Sequence, residues 1–186
     1  MRRLRQLTAT VCAAAALAGC AAHSTASSHL DVNVDFAKYH TFEWGAPDVF
    51  PVGDPRLDHN ATFVDHLQGA VEKQLVARGY EHSLSERADL LIHFHASIDQ
   101  RLDVDATDAR HGYCLDDNCR NGVREYDAGT LIVDVVDRYT NQLVWRGWSQ
   151  RSVDGVLEDR DRLVRLIDEG VARMFVGFPT DLVRSK

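Results

Sequence analysis

One stretch, Gly129 to Ser149 (GTLIVDVVDRYTNQLVWRGWS), constrains the fold more than any other part of the chain. Leu131, Val133 and Val135 alternate with Ile132, Asp134 and Val136, and beyond a polar turn Trp145 and Gly147 alternate with Val144, Arg146 and Trp148. Two period-two arms joined by a short turn read as an antiparallel hairpin. Pairing Val136 with Val144 around the loop Arg138 to Gln142, where Asn141 takes a positive φ, sets Asp134 opposite Arg146 and Ile132 opposite Trp148. The same register sets Val135 against Trp145 and Val133 against Gly147, so that large and small side chains alternate on the other face.

The remaining elements follow in order. Leu30 to Phe36 (LDVNVDF) alternates as a strand does, and Tyr39 to Trp44 (YHTFEW) is a second extended piece. Gly45 to His59 holds three of the four prolines and reads as a loop. Asn60 caps a helix with Val64, Leu67, Val71 and Leu75 on one stripe, and Gly79 stands where such a helix ends in the left-handed conformation. A short strand starts at Tyr80, and a long one runs over Ala88 to Asp103. On the long strand Leu90, Ile92, Phe94, Ala96 and Ile98 form a core face, and Leu91, His93, His95, Ser97 and Asp99 a partly hydrated one. Val104 to Glu125 is an irregular loop, longer than compact domains usually carry without a function or disorder behind it. A second helix runs from about Asp159 to Gly177, with Leu163, Ile167, Val171, Met174 and Phe178 on one stripe, and Pro179 stops it. Hairpin-forming strands between two helices exclude a regular βαβ alternation. The expected class is α+β, a mostly antiparallel sheet of about five strands with both helices packed on the Phe94 face.

At the N-terminus MRRLRQ precedes the apolar run LTATVCAAAALAG, a charged region and a hydrophobic region of export-signal form, too short to span a membrane. Leu17, Ala18, Gly19 and Cys20 resemble the bacterial lipobox, which implies lipid attachment at Cys20 and removal of residues 1–19. Ala21 after that cysteine implies, by the same resemblance, the outer membrane and its periplasmic face. Residues 20–29 are then the lipidated cysteine and a small, polar, flexible tether, and residues 30–186 a single domain. Loss of residues 1–19 lowers the Lys and Arg count from 21 to 18 against 28 Asp and Glu, a net charge of −10 that disfavours nucleic acid as a partner.

Tyr39 to Trp44, Leu75 to Tyr80 (LVARGY), Ala88 to Leu91 (ADLL), Gly129 to Asp137, Leu143 to Gly147 (LVWRG) and Phe178-Pro179 resemble, in order and spacing, the blocks of the bacterial lipoproteins grouped as domain-of-unknown-function family 4136. The resemblance spans nearly all of the chain after the leader. It implies no catalytic residues. Where that family carries a glycine- and aromatic-rich loop before its GTL block, this chain has HGYCLDDNCRNG.

Cys114 and Cys119 share the long loop of an exported chain, which points to a disulfide; with His111 their sulfurs form the alternative, a metal site. His93 and His95 leave one face of one strand, as two ligands of a metal would, with Asp99 or Asp134 to add a carboxylate. No metalloprotease helix motif, phosphate-binding loop, nucleophile elbow or dinucleotide fingerprint accompanies them. No catalytic residue and no cofactor is therefore expected. The leading reading is a binding or structural module of the cell envelope, anchored to the membrane through Cys20 and meeting an envelope protein or glycan. Its alternative is a metal-binding or hydrolytic envelope enzyme using the His93/His95 face. The candidate surface is the sheet face away from the helices, where alternation gathers His93, His95, Asp134, Val136, Val144, Arg146 and Trp148. Either the N-terminal segment or the long loop folds over this face, or the face docks a partner.

Overall fold

The computed structural model describes residues 25–46, 54–58, 60–84, 87–103 and 124–180. Six strands form one sheet: β1 (Thr25–Leu30), β2 (Thr41–Trp44), β3 (Glu81–His82), β4 (Leu90–Asp103), β5 (Arg124–Asp137) and β6 (Gln142–Ser152), in the spatial order β1-β6-β5-β4-β2-β3. Neighbours are antiparallel except at β2, which runs parallel to both β3 and β4. Among the described residues the α-helices are α1 (Pro55–Asp58), α2 (Ala61–Val76) and α3 (Arg160–Met174). The class is α+β and mostly antiparallel, with six strands where about five were expected. The one-turn α1 lies inside the expected proline-rich loop.

The largest departure is at the first strand, expected over Leu30 to Phe36 and found over Thr25–Leu30, which includes the last residues of the expected tether. Local side-chain bonds explain the shift. The Asp31 carboxylate accepts the backbone and side-chain N–H groups of Asn33 at 2.9 and 3.1 Å, and Asp35 accepts the Ala37 N–H at 3.0 Å. Such bonds bend the chain out of a strand into the 3-10 turn Phe36–Lys38. Meanwhile the free edge of β6 supplies backbone partners for Thr25 to Leu30, whatever their side chains.

The hairpin keeps the expected pairs Asp134 with Arg146, Ile132 with Trp148, Val135 with Trp145 and Val133 with Gly147. It departs at its tip, where Val136 pairs with Leu143 rather than Val144 across a β-bulge. The cause is a shorter turn. Asp137 pairs with Gln142, its backbone carbonyl accepts the Asn141 N–H at 2.8 Å, and Asn141 takes φ 55°. Val144 is thereby the extra residue, and both Val144 and Trp145 face the core. At the other end β5 begins at Arg124, inside the expected loop, and pairs with β4 along the whole of both strands.

Asn60 caps α2 by accepting the Phe63 N–H, Asp159 caps α3 by accepting the Arg162 N–H, and Gly79 takes φ 98°. Leu67, Val71 and Leu75 of α2 and Leu163, Ile167, Val171 and Met174 of α3 join Leu90, Ile92, Val133, Val135 and Trp145 of the sheet in one core. Phe63 takes the buried place on α2 that the expected stripe assigned to Val64, which is only partly buried. Gly147 shows how tight the contact is. A Cβ there would lie 2.3 Å from the Trp145 ring and 3.0 Å from the Cβ of Met174, so the missing side chain leaves the indole its room beside α3. Because Ile167 is 1% exposed at this interface, Ile167→Ala should cost about 2–5 kcal/mol in denaturant unfolding. A loss below about 0.5 kcal/mol would place the side chain outside the core.

Candidate functional site

On the sheet face opposite that core, register aligns four polar residues from four strands into one row. His93 of β4 pairs with Asp134 of β5, Asp134 with Arg146 of β6, and Arg146 with His29 of β1. The adjacent row runs His95, Ile132, Trp148, Ser27. Arg146 donates from Nε to Oδ1 and from Nη2 to Oδ2 of Asp134, each at 2.6 Å, a bidentate charge-assisted pair. The carboxylate is far less exposed than the guanidinium, at 9% against 45% of the side chain, and it raises the Arg146 pKa. His95 Nε2 lies 3.7 Å from the Oδ2 that Arg146 also uses. The His93 ring occupies the space over Gly45, where an added Cβ would stand 2.2 Å from it. Ile132, Val136 and Trp148 are half-buried beside the row.

The expected set His93, His95, Asp134, Arg146 and Trp148 is thus gathered on one face. Val144 is not among them, because the bulge turns it into the core. Asp99 also stands apart, exposed and accepting only a long 3.5 Å bond from Ser97. His29 completes the row and was missed, since a residue assigned to a tether has no face. Of the N-terminal segment, Thr25–Leu30 extends the sheet edge rather than crossing the face. Among the described residues no group of three or more His, Cys, Asp or Glu is placed to hold a metal ion. Cys20, His111, Cys114 and Cys119 lie outside the described residues.

Two further carboxylates, also missed, organise the end of the sheet next to this face. Asp89, in the ADLL block, accepts the backbone N–H groups of His40 and Thr41 and the Thr41 hydroxyl at 2.8–3.0 Å, fixing β2 beside β4. Asp137, the last residue of β5, accepts the Tyr39 hydroxyl at 2.6 Å and Lys38 Nζ at 3.1 Å on Oδ2, and the Tyr139 and Thr140 N–H groups on Oδ1. A polar residue ending a strand just before a turn was the available signal. Burial alone would raise the Asp137 pKa; these four donors outweigh it and hold the carboxyl well below the usual range. Burial, and then the bond to Asp137, push the Tyr39 hydroxyl up to about 12. With all its bonds spent on holding the turn and the N-terminal segment together, Asp137 is structural.

The pH dependence follows from the direction of the Asp137 shift. A carboxyl with a depressed folded-state pKa stabilises the fold above its unfolded value of about 3.9, and that contribution is lost as pH falls toward the folded value. Asp137→Asn should cost about 1.5–3 kcal/mol at pH 7, and the gap to the parent protein should narrow between about pH 5 and pH 2. Denaturant unfolding at several pH values checks this; a gap constant with pH would assign the loss to packing.

Among solved structures, a PDZ domain protein from Parabacteroides distasonis is similar at a TM-score of 0.51 and 14% identity over 81% of this chain. The match spans 35% of that chain, and at this identity it shows the fold alone. A PelC dodecamer from Paraburkholderia phytofirmans matches at 0.41 and 9% identity, covering 81% of this chain and 96% of its own. No curated protein matches. A family model described as Domain of unknown function (DUF4136) matches residues 26–180, from the second residue of β1 to just past Pro179, and the chain belongs to that family.

Proposed function

We propose that the protein is a lipid-anchored module of a bacterial envelope, held through Cys20 on the periplasmic face of the outer membrane. On the face built around Asp134 and Arg146 it captures another envelope component, a protein or a glycan. The observation that carries this reading is the composition of that face. A guanidinium already ordered by a shielded carboxylate stands beside half-buried Trp148, Ile132 and Val136, whereas a merely solvated face would carry polar groups at nearly every outward position. Tryptophan and arginine are the residue types most enriched where binding energy concentrates. Because Arg146 is held by Asp134 before any partner arrives, less side-chain entropy is lost on docking. In the same reading Cys114 and Cys119 form a disulfide, and the net charge of −10 after loss of residues 1–19 disfavours nucleic acid.

Two experiments test the proposal. Cys20→Ser should release the protein from the membrane fraction or stall its processing, and the parent protein should take up an acyl label; an unlabelled parent and an unchanged membrane fraction would defeat the anchor. Trp148→Ala combined with Arg146→Ala should abolish crosslinked capture in intact cells while thermal unfolding stays cooperative. Capture that persists in the double variant, or a double variant that unfolds, returns these residues to a structural role. A zinc titration of the purified protein separates the enzyme alternative, which requires saturable binding lost in His93→Ala and His95→Ala.

A further inference from the structure

A second feature, on the opposite side of the sheet, is independent of the docking reading. A cavity of about 50 Å³, partly open to solvent, lies between α3 and the sheet. Ile98 and Leu131 of the sheet, Phe63 of α2, and Leu163, Leu166 and Ile167 of α3 form its apolar wall. A cavity so lined offers water almost no partners and favours an alkyl group. It is far smaller than the roughly 300 Å³ at which drug-sized pockets begin, so it suits the end of an extended chain rather than a ring system.

Arg151 also lines the cavity. Its Nη1 donates to Glu169 Oε2 at 2.7 Å, and among the described residues its Nε and Nη2 make no hydrogen bond. Glu169 is half-exposed, and its carboxyl is held below the ordinary range first by Arg151 and further by the charges of Arg173 and Arg165 on α3. Arg151 is the charged residue among those that line the cavity, while Arg165 and Arg173 act on Glu169 through their charge. An apolar interior beside one guanidinium with unused donors is complementary to one kind of ligand. We propose that this cavity binds a single-chain carboxylate amphiphile, its alkyl end between Leu131 and Ile167 and its carboxylate on Arg151.

The test is calorimetric titration of the full chain with butanoate, hexanoate, octanoate, decanoate and decanol, each below its micellar or solubility limit. Affinity should rise about fourfold per added methylene, the factor that about 0.8 kcal/mol per buried CH₂ corresponds to, and level off once the cavity is filled. Decanol should bind about tenfold more weakly than decanoate, and Arg151→Gln should erase that difference. Ala96→Phe, which fills the cavity from the sheet side, should lower decanoate affinity at least tenfold with a cooperative melt retained. Should that variant fail to fold, Leu166→Trp narrows the cavity from the helix side with the same expectation. Absence of saturable binding, a rise with chain length that never levels, or affinity unmoved by either filling variant overturns the proposal. Trp148→Ala should leave binding unchanged, which keeps this outcome separate from that of the docking face.

Discussion

Register along β5 is the constraint on which everything else depends. The strand is paired with β4 along its whole length and with β6 from Ala128 to Asp137, so each of its side chains in that span is committed to a face from both sides. A slip of one residue would bring Asp134 into the core and send Val133 and Val135 to solvent. Three devices oppose the slip. Asp137 closes the tip with donors from the turn and from Tyr39, the bulge absorbs Val144, and Trp145 fits only where Gly147 leaves room. Polar row, aromatic core and tip are therefore coupled through backbone pairing rather than through contact with one another.

Those devices differ in how well residue order reveals them. The large and small alternation of Trp145 and Gly147, the ion pair of Asp134 with Arg146 and the positive φ of Asn141 follow from period-two alternation and turn chemistry, which act over a few residues. The helix caps at Asn60 and Asp159 are equally local. The bulge, by contrast, depends on whether the turn closes on Val136 or on Asp137, a competition between nearly equivalent registers that a tertiary bond from Tyr39 helps to settle. β1 was harder still. Its six residues are strand because β6 has an unpaired edge, and nothing in TASSHL states that. The same blindness hid His29 from the candidate face, while residue order does not mark out Asp89 and Asp137, because their partners at 39–41 lie far away in sequence.

The distribution of carboxylates separates holding from binding. Asp89 spends its oxygens on backbone and hydroxyl donors, and Asp137 divides its own among backbone N–H groups, the Tyr39 hydroxyl and the Lys38 ammonium, leaving little for a ligand, and the cost of losing either is a cost in stability. Asp134 instead spends its oxygens on a guanidinium that is 45% exposed and faces outward. A buried acceptor turned toward the chain stiffens the sheet, whereas one turned toward a surface cation presents that cation in a fixed pose.

The antiparallel docking of β1 on β6 also has a mechanical side. Backbone hydrogen bonds of an antiparallel pair lie across the strands, so tension applied before Thr25 along the strand axis loads the rungs from Thr25 to Leu30 together instead of peeling them one by one. Since His29 sits on the rung that holds Arg146, a tug on the start of the chain is transmitted directly to the polar row. In shear the first strand behaves as a rivet, and pulled sideways, away from β6, as a zipper.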